Sequence, residues 1–239
     1  MSGDYSNTIN AYTKAIELDP KLAIAYFNRG YAFGKLGNSR KEIEDYNKAI
    51  ELDPKDAMAY NNRGAAFGEL NYDKQEIEDY NKAIELDPKL AIAYNNRGAA
   101  FGRLGNSKQE IEDLNTAIEL DPKIAMAYFN RGVALGRLGN HRQEMEDYNK
   151  AIELDTKLAR AYLNRGVAFG RLGNSKQEIE DYNKAIELDP KDARAYVNRG
   201  AAFGRLGNSR QEMEDLNKAI KLDPKDAMAY NNRGGPIIN

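Results

Sequence analysis

Apolar residues recur at helical spacing along the whole chain, and residues 159–192 show the pattern in full. Early in this stretch, Tyr162, Gly166 and Phe169 follow the i, i+4, i+7 spacing that places residues on one face of a helix. Gly173 follows, and glycine adopts the left-handed conformation of a helix C-terminus at little cost. The pattern therefore predicts a first helix that ends there. One copy has asparagine instead, and asparagine also tolerates this conformation.

A second helix is predicted in the remainder of the stretch. Ser175 and Glu178 have the spacing of a capping box, in which both side chains bind free backbone N–H groups at a helix start. Pro190 disfavours helical geometry at the residue before it, so the helix should end near that point. The apolar stripe of this helix consists of Ile179, Tyr182, Ala185 and Ile186.

The same unit repeats every 34 residues. A fixed period of this length is typical of stacked arrays. One helix pair cannot bury both of its stripes alone, so each copy must pack against its neighbours and no central core is expected. An Arg-Gly pair marks each copy, at Arg29-Gly30, Arg63-Gly64, Arg97-Gly98, Arg131-Gly132, Arg165-Gly166, Arg199-Gly200 and Arg233-Gly234.

The repeat resembles the tetratricopeptide repeat (TPR) family over nearly the whole chain. The matching positions are Tyr162, Gly166, Phe169, Tyr182, Ala185 and Pro190. The resemblance implies an all-α fold, a right-handed superhelical solenoid of antiparallel helix pairs. It also implies that first helices line a concave side where extended peptides bind. Two positions depart from the family pattern: Arg165 replaces a leucine and Glu178 replaces a small residue, and both place charge near a packing surface.

The repeats divide the chain into three parts. Residues 1–22 match the second helix of a partial repeat, residues 23–226 contain six complete repeats, and residues 227–239 begin another first helix. Gly235-Pro236 should break that last helix, because proline lacks a backbone donor and clashes with the preceding turn. The lone helices at both ends leave a second hypothesis open, in which the solenoid self-assembles end to end as a homo-oligomer. A third hypothesis is that the array is the TPR portion of a larger protein.

One arginine and one aspartate in each repeat are predicted to form a buried ion pair. Arg165 lies between Tyr162 and Phe169 on the packing face of the first helix, and Asp181 lies four residues before Ala185 on the second. An unpaired charge is costly in such a place, so a structural pair is expected. The six predicted pairs are Arg29 with Asp45, Arg63 with Asp79, Arg97 with Asp113, Arg131 with Asp147, Arg165 with Asp181, and Arg199 with Asp215.

A row of asparagines follows the opposite face of the first helices. A carboxamide offers donors and an acceptor, so it can bind a main-chain amide of any sequence. We therefore hypothesise that this asparagine ladder binds the backbone of an extended peptide or protein segment, as in some TPR proteins. The alternative is recent duplication, in which nearly every position still matches. The ladder comprises Asn28, Asn62, Asn96, Asn130, Asn164, Asn198 and, in the last partial copy, Asn232. The neighbouring positions vary, which suggests side-chain pockets, and are Phe27, Asn61, Asn95, Phe129, Leu163 and Val197.

Arginines enter this groove face in the later repeats. Guanidinium groups bind carboxylates and phosphates through paired hydrogen bonds, so the expected partner has an acidic or phosphorylated portion. The alternative is that arginines in the last turn of a helix only complement its dipole. The predicted groove arginines are Arg137, Arg160, Arg171, Arg194 and Arg205.

Composition and charge argue against several other functions. The net charge is −2, with 15 Lys and Arg against 20 Asp and Glu in residues 1–120, and 20 against 17 in residues 121–239. This balance disfavours nucleic-acid binding, which needs a concentrated basic surface. There is no cysteine, and the single histidine, His141, is expected at the surface. Without a metal-ligand cluster, a nucleophile–base pair or a phosphate loop, we expect no enzyme activity, metal or cofactor.

Targeting signals are also lacking in the sequence. No apolar run resembles a signal peptide or reaches membrane-span length, so no membrane interaction is expected. The lack of cysteine fits a reducing compartment. A cytoplasmic location is therefore the expectation.

Overall fold

The computed structural model describes residues 5–234. Within that range the chain forms fourteen α-helices and no strand. The helices are α1 (Tyr5–Leu18), α2 (Ala23–Lys35), α3 (Ser39–Leu52), α4 (Ala57–Glu69), α5 (Asp73–Leu86), α6 (Ala91–Arg103), α7 (Ser107–Leu120), α8 (Ala125–Arg137), α9 (His141–Leu154), α10 (Ala159–Arg171), α11 (Ser175–Leu188), α12 (Ala193–Arg205), α13 (Ser209–Leu222) and α14 (Ala227–Gly234). Even-numbered helices up to α12 are the first helices of the six repeats, and each is followed by its second helix.

The helices form two compact units. The first unit contains α1 to α7 and ends at Ile124, and the second contains α8 to α14 and begins at Ala125. In the first unit α2 packs on α3, α4 on α5 and α6 on α7, and in the second α8 packs on α9, α10 on α11 and α12 on α13. Each unit is a stack of antiparallel helix pairs, which confirms the predicted all-α solenoid.

Within each unit the first helices form the more closely spaced layer. Contacts join α2 to α4 and α4 to α6 in the first unit, and α10 to α12 in the second. Among residues 5–234, successive second helices show no comparable contact. When the first helices of a stack lie closer together than its second helices, the stack curves toward the first helices. The face that the sequence assigns to a groove is therefore on the inner side of each unit.

Close packing between the two helices of a repeat depends on the glycine of the Arg-Gly pair. A Cβ atom at Gly166 would lie 2.7 Å from Cε1 of Tyr182, far inside van der Waals contact. Because glycine has no Cβ, the buried Tyr182 ring lies directly against the backbone of α10. Small residues complete this core, since Ala161, Ala168 and Ala185 are also buried.

The ends of the first helices agree with the sequence. Gly173 has φ of 72°, and the corresponding glycines of four other repeats also have positive φ. Asn71 takes the place of this glycine after α4 and has φ of 58°. The left-handed helix end is therefore confirmed, including the substitution of asparagine for glycine.

The predicted capping box is wrong. Ser175 is the first residue of α11, and the residue before it, Asn174, is the N-cap. In the equivalent α3 the side chain of Asn38 accepts a hydrogen bond from the backbone N–H of Lys41, at 3.3 Å. The Glu178 side chain is buried between helices, where packing and an ion pair outweigh capping.

Two further sequence expectations concern single segments. The break at Gly235-Pro236 lies outside the described residues. In the part of the chain that the structure describes, no helix has both the length and the apolar character needed to cross a lipid bilayer.

Candidate functional site

Each first helix carries an arginine that binds both oxygens of an aspartate on the second helix. Nε of Arg165 donates to Oδ2 of Asp181 at 2.8 Å, and Nη2 donates to Oδ1 at 2.7 Å. The bonds raise the pKa of Arg165 above its ordinary value. The structure brings all six predicted pairs together in this way, at 2.7 or 2.8 Å, namely Arg29–Asp45, Arg63–Asp79, Arg97–Asp113, Arg131–Asp147, Arg165–Asp181 and Arg199–Asp215.

The same arginines also contact the preceding repeat. Nη1 of Arg165 donates to Oδ1 of Asn149 on α9 at 2.8 Å. Its guanidinium lies 5.6 Å from the ring centroid of Tyr162 and 5.8 Å from that of Phe169, within cation–π range. These asparagines were not predicted from the sequence, although each lies sixteen residues before its arginine. The others are Asn47 for Arg63, Asn81 for Arg97 and Asn183 for Arg199.

Cavities recur at one position, between successive first helices. In the second unit a cavity of about 270 Å³ lies between α8 and α10, with Glu144 and Tyr148 of α9 among its lining residues. In the first unit the equivalent cavity of about 380 Å³ lies between α4 and α6, beside Glu76 and Tyr80 of α5. A third cavity of about 330 Å³ lies between α2 and α4. The inner face of each unit therefore presents concave sites at the repeat spacing.

A buried glutamate in these cavities pairs with an arginine of the next first helix. Nη2 of Arg103 donates to both carboxylate oxygens of Glu76, at 2.7 and 2.5 Å. Arg171 donates to the two oxygens of Glu144, at 3.2 and 2.9 Å. Arg205 bonds Glu178 at 2.5 Å. At Glu76, Glu144 and Glu178, the glutamate that departs from the TPR pattern is thus neutralised by the repeat that follows.

These ion pairs correct the expectation for the groove arginines. Arg171 and Arg205 were expected to offer their guanidinium groups to a ligand, but they bind Glu144 and Glu178 of the chain itself. The signal was present in the sequence, since each of these arginines follows its glutamate by 27 residues. An arginine and a glutamate at this constant spacing form an ion pair only if consecutive repeats stack at the right distance. Residue spacing within one helix does not reveal that distance.

Space for the buried glutamate comes from a second glycine of the first helix. A Cβ atom at Gly170 would lie 2.5 Å from Oε1 of Glu178, and one at Gly136 would lie 2.5 Å from Oε1 of Glu144. The glutamate carboxylate therefore lies against the backbone of the first helix. Glycine here compensates for the bulk that glutamate adds.

His141 is half exposed, as expected for a surface residue, but it also takes part in this cluster. Its Nδ1 atom lies 2.9 Å from Oε2 of Glu144 and 3.2 Å from Nη1 of Arg171. Other repeats have serine or aspartate at this position. Besides the Arg171 guanidinium, the Glu144 carboxylate thus has an imidazole nitrogen from its own helix as a neighbour.

The asparagine ladder occupies different environments in the two units. Asn164 and Asn96 line the cavities of the second and first units, respectively. In the first unit the amides form a chain, in which Asn95 donates to Asn96, Asn96 to Asn61 and Asn61 to Asn62, at 3.0 to 3.1 Å. Asn62 and Asn96 are therefore partly committed to internal hydrogen bonds.

The remaining ladder residues are partly exposed. The side chains of Asn28 and Asn198 make no hydrogen bond with other residues of the described range 5–234. Asn130 and Asn232 are also partly exposed. Asn28 and Asn198 therefore have more free hydrogen-bonding capacity than Asn62 and Asn96.

Five of the six variable positions next to the ladder do not form ligand pockets, and the sixth, Phe27, is partly exposed. Asn61, Asn95, Phe129, Leu163 and Val197 are all buried. Phe129 and Leu163 belong to hydrophobic clusters between helices. This part of the groove hypothesis is wrong, because contact with the next first helix covers these side chains.

The two arginines at the start of their helices lie at the surface. The Arg160 guanidinium is 5.7 Å from the ring centroid of Phe129. Arg194 pairs with Asp192 at 2.6 Å, and this bond lowers the pKa of Asp192. Arg137 lines the cavity between α8 and α10. Among residues 5–234 there is no cluster of three or more His, Cys, Asp or Glu residues that could hold a metal ion.

Family profiles for TPR repeats match the chain over more than half of its length. The profile described as TPR repeat matches residues 2–37, 43–71, 77–105 and 179–207, and tetratricopeptide repeat profiles match residues 23–56, 125–158 and 159–192. The chain belongs to the tetratricopeptide repeat family. Curated protein sequences contain no match to this TPR chain.

Solved structures of other proteins share this fold. The APC/C hetero-tetramer Cut9–Hcn1 matches 98% of this chain with 18% identity and a TM-score of 0.90, and this chain spans 46% of the matched one. YrrB, a TPR protein with an unusual peptide-binding site, has 24% identity and a TM-score of 0.60, covering 80% of this chain and 99% of its own. PilF of Pseudomonas aeruginosa has 18% identity and a TM-score of 0.79, covering 89% and 96%. These likenesses establish fold.

Proposed function

We propose that this TPR protein is an interaction scaffold that binds an extended peptide or protein segment along its first helices. The observation that carries this proposal is the recurrence of one cavity type at the repeat spacing. Two first helices form the walls of each cavity, and polar and aromatic side chains of the second helix between them complete its lining. A row of separate, regularly spaced hollows suits an extended chain better than a compact ligand, because successive side chains can enter successive hollows.

Carboxamides on these walls supply the chemistry for binding a peptide backbone. Asn164 lines the cavity between α8 and α10, and Asn198 occupies the equivalent position one repeat later. Each amide can donate to a backbone carbonyl and accept from a backbone N–H. Asn62 and Asn96 have less free capacity, because they take part in the amide chain. We therefore assign backbone binding mainly to Asn198 and to Asn164, although the Asn164 amide also interacts with the Tyr148 hydroxyl.

Charge in the second unit favours an acidic or phosphorylated residue on the ligand. The cavity between α8 and α10 is lined by Arg137 and Arg171 against one carboxylate, Glu144. Arg160 is exposed at the start of α10. Arg171 is already paired with Glu144, so the cation that we expect to attract an anionic group of the ligand is Arg160.

Two further considerations support binding over catalysis. Acidic and basic groups recur at equivalent positions from repeat to repeat, so no repeat stands out as a reaction centre. The likeness to YrrB, whose solved structure is described as having a peptide-binding site, adds a precedent on the same fold. We propose a scaffold without a catalytic step.

A comparison of variants tests this function. A library of extended nonapeptides is passed over the immobilised wild-type chain and over a variant that combines Asn164→Ala with Asn198→Ala. Loss of buried hydrogen bonds to the peptide backbone should reduce retention about tenfold for peptides of unrelated sequence.

A matched control changes an exposed residue of a second helix, Lys176→Ala, whose side chain is 83% exposed. The control should retain peptides as the wild type does. Equal retention by all three proteins would rule out backbone binding by these asparagines. Failure of the wild type to retain any peptide would rule out the scaffold function itself.

A further inference from the structure

The cavity between α2 and α4 differs from its equivalents at the position whose side chain pairs with the glutamate, and its own cation is Lys35. In the cavities of Glu76 and Glu144, an arginine of the next first helix binds the glutamate, namely Arg103 and Arg171. The position equivalent to those arginines in α4 is Glu69. Glu42 therefore faces a second carboxylate where the other repeats place a guanidinium, and both residues line the cavity.

The Glu42 carboxylate is held in the same position as its counterparts. A Cβ atom at Gly34 would overlap with it, just as one at Gly68 would overlap with Glu76. Among residues 5–234, no lysine or arginine lies within ion-pair distance of Glu42. The carboxylate is thus placed to receive a guanidinium but has none of its own.

An exposed aromatic ring adds a second feature that favours a cation. Tyr31 lines the cavity and is 46% exposed, whereas the equivalent residues of the other repeats are alanine or valine. Its ring already attracts a positive charge, since the Lys35 ammonium lies 4.9 Å from the ring centroid. Guanidinium groups stack on such rings more readily than ammonium groups do.

A buried hydroxyl lies one helical turn after Glu42 on the same helix. Tyr46 of α3 is fully buried, and its hydroxyl makes no hydrogen bond within the described residues. Burial raises the pKa of this phenol, and the charge of Glu42 contributes in the same direction.

We propose that the cavity of Glu42, Glu69 and Tyr31 binds the arginine side chain of a partner peptide. The guanidinium would occupy the place that Arg103 takes beside Glu76, donating to Glu42 and Glu69 and stacking on Tyr31. Arginine fits better than lysine, because its planar group can donate to two carboxylates at once. This inference rests on the proposed function, since it names one residue that the bound segment carries.

The protonation of Glu42 should couple to this binding. Burial and the charge of Glu69 raise the pKa of Glu42 to about 7, while the charge of Lys35 opposes them. The other groups near it are Tyr31 of α2 and Tyr46 of its own helix. A guanidinium prefers the ionised carboxylate, so affinity should increase between about pH 6 and pH 8 as Glu42 loses its proton.

The test is an NMR titration of the full chain with a small probe, N-acetyl-arginine methylamide. The control ligand is the citrulline analogue, which has nearly the same shape and no charge. We expect chemical-shift changes confined to amides near Glu42 and Glu69, and affinity about tenfold higher for the arginine compound. Equal affinities, or shifts located elsewhere, would overturn the proposal.

Glu69→Arg supplies the decisive variant. It recreates the ion pair seen between Glu76 and Arg103, so the new arginine side chain should occupy the cavity. Binding of the arginine compound should then be lost. A matched control, Glu112→Arg, makes the same charge change at an exposed position and should leave binding intact. Persistent binding in Glu69→Arg would overturn the proposal.

The two proposals fail in different ways. A protein that binds the arginine compound at Glu42 but retains no nonapeptide would contradict the scaffold function and leave the arginine site in place. A protein that retains nonapeptides through Asn164 and Asn198, with no preference for arginine over citrulline, would contradict the arginine site alone.

Discussion

Arg165 and Asp181 are joined by two parallel hydrogen bonds, Nε to Oδ2 at 2.8 Å and Nη2 to Oδ1 at 2.7 Å. The Asp181 side chain is only 7% exposed and the Arg165 side chain 19% exposed. A third bond from Arg165 reaches Asn149 of the preceding repeat. One side chain therefore connects the two helices of its own repeat and the second helix of the repeat before it.

Removal of Arg165 alone should be strongly destabilising. Arg165→Leu leaves Asp181 buried without its cation, which we expect to lower the free energy of unfolding by about 3 kcal/mol. Combining Arg165→Leu with Asp181→Ala should recover much of that loss. Thermal and urea melts of the two single variants and the double variant measure the coupling. Additive effects would show that the pair contributes no coupling energy.

Glu42 should make the protein less stable as pH rises. Its pKa is about 7 in the folded chain against 4.5 for the ordinary group, so the folded state holds the proton more tightly. This contribution is fully present below about pH 4.5 and is lost as pH increases through about 7. Glu42→Gln keeps the neutral form and should stabilise the chain above pH 7, by on the order of 1 kcal/mol after allowance for solvent screening.

The comparison variant for this prediction is Glu76→Gln. Glu76 is paired with Arg103, so loss of its charge should destabilise the chain at neutral pH. Melting temperatures measured from about pH 5 to pH 8 distinguish the two carboxylates. Destabilisation by Glu42→Gln at pH 8 would mean that Glu42 gains more from its surroundings than it loses by burial.

The effects of substitutions at Gly170 and Glu178 on stability should depend on each other, because the two residues are in contact. Gly170→Ala places a methyl group where the Glu178 carboxylate lies, so we expect a loss of about 1–3 kcal/mol. In a Glu178→Ala background the same change should be neutral or stabilising, because alanine is the better helix former by about 1 kcal/mol. Urea melts of the two single variants and the double variant measure this reversal of sign. Equal losses in both backgrounds would contradict the steric explanation.

Replacement of Asn71 by alanine should destabilise the protein more than replacement by glycine. Its φ of 58° lies in the left-handed region. In that conformation, a residue that has a Cβ but no side-chain group to hydrogen-bond the nearby backbone lowers the free energy of unfolding by about 1 kcal/mol. We expect Asn71→Ala to lower stability by that amount and Asn71→Gly to leave it unchanged or slightly higher. Thermal melts of both variants check the order, and equal stabilities would show that this turn relaxes around either residue.

Local features of the chain were well predicted from sequence. The 34-residue period, the positions of the helix pairs and the left-handed ends at Gly173 and Asn71 depend on spacing and backbone preference within a few residues. The Arg165–Asp181 contact was also foreseen, because both residues lie on the packing faces of adjoining helices. Helical periodicity is enough to assign such faces.

Contacts between repeats were predicted less well. Glu178 has the spacing of a capping residue, yet it lies buried against Gly170 and pairs with Arg205. Phe129 and Leu163 vary among the repeats as ligand-contacting residues would, yet the next first helix covers them.

The amino-acid sequence by itself determined the repeating helix pair, its ends and the charges that each helix carries. Only the tertiary structure decided which charges of successive repeats neutralise one another and which side chains remain open in the groove. The physical reason is that a helix face is set by residues three and four positions apart, whereas burial depends on how closely the next repeat stacks. That stacking binds Arg171 to Glu144 and leaves Glu42 facing Glu69.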